Sequence, residues 1–300
     1  MLETVLAKFI TKYLNEYIET LNKSQMEMEL WKGHAVFQNL TFLPTALSKH
    51  QLPFRVRKGT IAKISLNLPW KKLKSEACVV EINDIFIIVE LDPDVLIKSS
   101  IKAQQSAIHV KEETVTKEEE KGTWQSLINT VIDNARVNIK NIHIRLELPQ
   151  QCGIYALGLI ISSLSFNTCN ENKVPLMQMV PNNIPKLYKI LTLSNFSVYF
   201  DTVIAQPIDL NQFDTQMKSV MMSKDHQFIF HPLTLECLLL HTRNIPGQLK
   251  NILTISTHQF KISMDYSQCR AILEFNQRWI MFNRRKKYAS CARPKNLHSI

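Results

Sequence analysis

Glycine is scarce in this chain, six residues in 300, and that scarcity speaks against a compact barrel of short strands joined by glycine turns. Its six cysteines (Cys78, Cys152, Cys169, Cys237, Cys269 and Cys291) lack both the short paired spacings of a zinc site and the density of a disulfide scaffold, so a reducing compartment is the simpler reading. No segment is apolar for long enough to cross a bilayer. The opening MLETVLAKFITKYLNEYIE carries charges inside its apolar pattern and reads as neither a signal peptide nor a spanning helix, so any membrane role is expected to be peripheral. No glycine-rich phosphate loop follows a strand, no serine or cysteine stands in a nucleophile elbow, and the nine histidines are dispersed without metal-ligand spacing. Catalysis, a metal and a cofactor are therefore not expected. His143 reads as a surface imidazole on a wet strand face.

What the chain does hold is a 45% hydrophobic fraction, enough for a buried core, and an excess of 36 basic over 26 acidic residues, a net charge of +10. That charge suits an anionic partner without choosing between nucleic acid and lipid headgroups. The aromatics alternate with aliphatics on dry strand faces rather than with lysine and arginine on an open platform, which argues against nucleic acid.

Leu2, Val5, Leu6, Phe9, Ile10, Tyr13, Leu14, Tyr17, Ile18 and Leu21 recur at three- and four-residue steps and predict an amphipathic helix. Its stripe can cap a core, or touch a membrane or partner through Leu2, Val5 and Phe9, and both can hold along one helix. The period then changes to two. Residues 26–30 and 37–42 read as paired strands turning at Lys32 and Gly33, and 62–68 alternate until Pro69 ends the run. Residues 79–91 are apolar on both faces, like a strand covered on each side. The charge-dense stretch 98–122, with VKEETVTKEEEKG at its centre, reads as an exposed mobile loop, and 124–132 as a short helix. Alternation is clearest from Ile139: Ile142, Ile144, Leu146 and Leu148 point one way, and Asn141, His143, Arg145 and Glu147 the other. Long extended segments follow at 154–166, 190–200, 228–240 and 253–264, separated by polar linkers such as AQPIDLNQFDTQMKSVMMSKDH. Helical periodicity returns near 271–287. The pattern predicts a mainly β fold with some α, a long β-meander with a helix at each end. Its dry face must be closed by curling, by a second sheet, or by something that is not protein.

Two blocks carry a family resemblance. Glu29-Leu30-Trp31-Lys32-Gly33 with Val36, Leu40, Ala46 and Leu47, then LPFRVRKGTIAKISLNLPWKKL from Leu52 to Leu73, resemble the chorein N-terminal domain of the vacuolar protein sorting-associated protein thirteen family. VIDNARVNIKNIHIRLEL looks like that family's strand with an Ile-His-Ile-Arg core, and LTLSNFSVYFD, HPLTLECLLL and ARPK fall where its next features are expected. The chain differs where Leu146-Glu147-Leu148 replaces the family's aromatic and acidic residues, and in the insertion around Glu118. The resemblance implies a long antiparallel β-meander curled into an open hydrophobic groove and capped by the N-terminal amphipathic helix, with a chorein domain over 1–97 and the groove continuing over 123–300, on either side of the charged loop at 98–122. It implies part of a bridge-like lipid transfer protein that carries glycerophospholipids between organelle membranes at contact sites, with the endoplasmic reticulum at the N-terminal end. A non-transporting tether is the alternative. One-face alternation then nominates Ile64, Leu66, Ile87, Val89, Ile142, Ile144, Leu146, Leu159, Phe196, Val198, Leu235 and Ile262 as lipid-facing. The basic run Arg284, Arg285, Lys286 and Lys287 reads first as a solvated helix end; attraction to an anionic leaflet is the second reading and a nuclear localisation patch the third.

Overall fold

Isoleucine and valine, stiff at χ1, favour extended backbone, and their recurrence at every second position sets one dry and one polar face per strand. The computed structural model describes residues 14–19, 33–47, 54–69, 76–91, 134–150, 153–176, 180, 184–204, 206–242 and 250–288. Within these residues such segments assemble into one open sheet of eight strands, each beside its neighbour in sequence. They are β1 (His34–Thr41), β2 (Phe54–Asn67), β3 (Val79–Leu91), β4 (Arg136–Gln150), β5 (Gly153–Cys169), β6 (Lys186–Ile204), β7 (Phe228–Thr242) and β8 (Asn251–Thr257).

The meander is antiparallel at every join but one: β4 runs parallel to β3, with Val79 beside Arg136 and Val89 beside Leu146. Alternation is the same for either direction, so periodicity could not show this. A parallel neighbour needs a crossover of a dozen residues or more, and only the stretch between Leu91 and Arg136 is long enough to supply it at that point. The strand expected over 253–264 is shorter. β8 stops at Thr257, and Ile262 keeps only an isolated bridge to Phe230.

The segment read as a polar linker holds a 3₁₀ turn (Leu210–Gln212) and a helix, α1 (Phe213–Met221). Phe213, Met217, Val220 and Met221 share one face and pack on Phe86 and Ile88 of β3, so that strand is covered on both sides as its composition required. Asp214 in the first turn and Lys218 in the last suit the helix dipole. A second helix, α2, spans Tyr266–Tyr288. At the N-terminus residues 14–17 are helical and Ile18 bridges Phe42. Leu2, Val5 and Phe9, the strand at 26–30, the stretch 98–122 and the short helix at 124–132 lie outside the described residues.

A crease crosses the sheet. Asn39, Asp84, Asn141 and Asn195 hold left-handed backbone, with φ of 53°, 56°, 58° and 51°. The registers align them with Ala62 of β2 and Ser162 of β5 in one transverse row from β1 to β6. The row ends as a bulge, where two residues of β6 between Leu193 and Phe196 oppose one of β7 between Leu235 and Leu233. Asn and Asp are the non-glycine residues that tolerate this conformation best. Asn141 Nδ2 donates to Asp84 Oδ1 at 2.6 Å, and Asn195 Nδ2 to Ser162 Oγ at 3.3 Å.

Candidate functional site

Paired residues in a sheet point to the same side, so the registers sort every strand into an inner and an outer face. On the inner face, Ile85, Ile87 and Val89 of β3 stand beside Ile142, Ile144 and Leu146 of β4. These pair onward to Ile161, Leu159 and Leu157 of β5, which continue to Val198 and Phe200 of β6. All twelve residues nominated from sequence fall on this face, Ile262 through its bridge to Phe230.

They do not share one environment. Ile64 and Leu66 are buried in a cluster with Ile18, Ala35 and Phe37, against which Leu14 and Tyr17 also pack. Ile87, Val89 and Leu146 are buried with Ala46 and Val56, and Ile144 and Phe275 of α2 pack on that cluster; Ile142 is buried as well. Leu159, Phe196, Val198 and Leu235 are half-buried, while Ile262 is 54% exposed. Ala271 and Ile272 of α2 meet Phe200, Ile229, Tyr155 and Leu157, so this helix covers part of the inner face below the crease.

Above the crease, between β4 and β8, the inner face carries Val137, Ile139, Leu164, Phe166, Leu191, Leu193, Leu235, Cys237 and Leu239. These are half-buried and join none of the buried clusters among the described residues. The row reaches Leu253 and Ile255 of β8, which are 60% and 62% exposed. Lys189 lies on the same face, buried, with its ammonium 4.7 Å from the centre of the Phe166 ring. Most of these positions escaped the sequence reading because a strict period of two reverses phase at the crease. The signal was present: Phe37-Gln-Asn39-Leu40, Ile82-Asn-Asp84-Ile85, Ile139-Lys-Asn141-Ile142 and Leu193-Ser-Asn195-Phe196 repeat apolar, polar, Asn or Asp, apolar.

On the outer face below the crease β4 presents His143, Arg145 and Glu147, polar in sequence and nevertheless buried. His143 is fully enclosed, not a surface imidazole, because α1 and the turn before it lie over β4. Met217 O receives the Nδ1 proton at 3.2 Å, which leaves Nε2 as acceptor for the Tyr199 hydroxyl at 2.8 Å. Tyr199 Oη accepts from Arg145 Nη1 at 3.1 Å. Glu147 takes Arg145 Nε at 3.1 Å, Arg57 Nη1 at 3.2 Å and the Ile208 amide at 3.2 Å. The His226 ring stacks on Tyr199 at 3.8 Å and bonds Asp201 and Val220 O. This network ties the outer helix to the sheet with its polar groups satisfied.

Burial pushes the His143 imidazole down to about 3 from its ordinary 6.5, and pushes the Tyr199 phenol up to about 12. The unfolded chain binds a proton near 6.5 that folded His143 refuses until about 3, so this contribution is whole above 6.5 and is lost as the pH falls toward 3. Urea unfolding at about pH 7 and about pH 4 is expected to show a loss on the order of 3 kcal/mol from this group, and His143→Gln, which keeps a donor and an acceptor without titrating, is expected to remove most of that loss. Equal acid losses in both proteins would assign the effect elsewhere.

The sequence matches the family described as VPS13-like family N-terminal region over residues 1–299. It is 25% identical to the intermembrane lipid transfer protein vps13B of Dictyostelium discoideum, over 92% of this chain and 5% of that protein. It is 24% identical to the intermembrane lipid transfer protein VPS13A of Mus musculus, over 95% of this chain and 10% of the relative. With the intermembrane lipid transfer protein VPS13D of Homo sapiens the identity is 26%, over 95% of this chain and 7% of the relative. The chain thus spans 10% or less of these relatives' length. A match over nearly every residue, together with an open sheet dry on its inner side, places this chain in the VPS13-like family, as an N-terminal region.

Proposed function

We propose that this chain binds glycerophospholipids by their tails along the inner face and passes them between organelle membranes. The carrying observation is the apolar strip above the crease, from Val137 to Ile255, which no buried cluster of the described residues covers. Hiding one sixteen-carbon acyl chain from water is worth on the order of 12 kcal/mol, so a carrier needs an extended apolar surface rather than a few pocket residues. Successive strands about 4.8 Å apart supply one, and headgroups stay in water along the open side. No described helix is long and apolar enough to cross a membrane, which suits a protein that works from the membrane surface. The relatives' printed names support lipid transfer. The resemblance of the first block supports the endoplasmic reticulum as the membrane at the N-terminal end, with the lipids and the two membranes as partners.

Native mass spectrometry of the purified chain, with extraction and identification of what travels with it, tests this reading. Glycerophospholipids of mixed headgroup retained on the folded chain are the expected result. A folded, lipid-free chain that still binds liposomes would replace transfer with tethering.

A further inference from the structure

We infer that Asn39, Asp84, Asn141 and Asn195 are positioning residues for lipid: their crease keeps the apolar inner face continuous, within one buried cluster on β1 to β3 and, on β4 to β6, from the floor below the row to the open strip above it. The inference rests on the lipid-binding reading above.

In a flat strand side chains alternate, so residues three apart point to opposite sides. Across the crease they point to the same side. Phe37 and Leu40 of β1 both enter one buried cluster, as do Ile61 and Ile64 of β2, and Ile82 and Ile85 of β3 pack against it. The registers repeat this for Ile139 and Ile142 of β4 and for Leu164 and Ile161 of β5, and bring Leu193 and Phe196 of β6 to the face of Leu235 and Leu233.

Within the row the left-handed residues stand on β1, β3, β4 and β6, which all run in one direction. Their antiparallel neighbours β2 and β5 present the small residues Ala62 and Ser162 to the row. A bulge on one strand bends that strand locally, whereas a row in register across six strands bends the sheet as a unit without slipping any pair. Without it, the dry residues above the row would turn to the outer face, and the strip from Val137 to Ile255 would no longer join the floor formed by Ile142, Ile144 and Leu159. The side chains of the row bond one another, and Lys218 of α1, which packs on the outer face, stands 3.9 Å from Asp84, so the row acts on lipid through the backbone it shapes.

Photocrosslinking on the full chain tests this. p-Benzoylphenylalanine replaces Leu193, Ser194 or Phe196 in turn, and each protein is irradiated with dioleoylphosphatidylcholine vesicles and weighed. Lipid adducts are expected at 193 and 196 and not at 194. An adduct at 193 without one at 196 would overturn the crease while the lipid reading stands. No adduct at any of the three in folded protein would remove the lipid reading itself. Asn195→Gly is expected to keep both adducts. Asn195→Val is expected to lower the adduct at one of the two positions about tenfold relative to the other, the population ratio set by the left-handed penalty of a β-branched residue. Equal adducts in the folded valine variant would also overturn the inference. Should that variant fail to fold, the pattern at 193, 194 and 196 in the unmodified background decides.

Discussion

Leu164→Asp combined with Leu235→Asp is expected to strip co-purifying glycerophospholipid from the chain, by about a thousandfold in affinity, while the protein stays folded. Both leucines stand above the crease, half-buried, in no buried cluster, with Leu193 between them on the intervening strand. Placing a carboxylate against acyl tails without a partner costs roughly 2 kcal/mol per site on the scale of protein mutational data, and two sites give about 4. The fold is spared for two reasons. Each carboxylate can reach water when no tail covers it, and two strand spacings, about 10 Å, put the new charges near a Debye length apart at physiological salt. Ile144→Asp is the contrasting variant, because Ile144 packs on the buried cluster of Val89 and Leu146. There unfolding is expected to be easier by about 3 kcal/mol or more, as an ionised group enters a protein core. Quantitative lipid mass spectrometry beside urea titration separates the two. Unchanged lipid content in the double aspartate variant would remove the strip above the crease from the lipid path.

Gly158→Ala is expected to destabilise the chain by about 3 to 5 kcal/mol, one of the largest effects available from a single methyl group here. A Cβ at Gly158 would lie 2.0 Å from Tyr199 Cζ and 2.3 Å from its hydroxyl oxygen. Tyr199 has nowhere to go: it is fully buried, its ring stacks on His226, and its hydroxyl bonds His143 and Arg145. Displacing the ring therefore adds broken buried hydrogen bonds to the steric cost. In a double-mutant cycle with Tyr199→Leu, the glycine substitution is expected to cost clearly less than it does alone, since the clash is gone. Additive costs would mean that Gly158 matters for some reason other than the ring above it.

The strands were legible because period two survives even where the sheet departs from a plain meander, and β3 showed itself covered on both faces through Phe86 and Ile88 as well as Ile87 and Val89. α1 was not, because its apolar residues Phe213, Met217, Val220 and Met221 are diluted by Asp, Gln, Lys and Ser within nine positions. His143 misled for a related reason. Alternation with Ile142 and Ile144 correctly sent it to the other face, but which element lies over that face is a tertiary fact that one strand cannot encode. The nominated residues landed on one side, yet the sequence could not rank them. Burial by Leu14, Tyr17 or Phe275 depends on chain crossings far from each strand.

The order of the strands also bears on how the protein is made. Each strand lies beside one synthesised just before it, so most pairings form between recently emerged neighbours and the sheet can grow as the chain lengthens. The parallel join breaks that rhythm. β3 is complete long before β4 exists, and β4 must return to the same end of the sheet before it can dock, closing a loop whose entropic cost rises with the logarithm of its length. Until then β3 is an open edge with apolar residues on both faces, the kind of edge on which other chains template. The interval between Leu91 and Arg136 is thus when a nascent chain most needs a chaperone, and substitutions that delay β4 would act on yield before they act on activity.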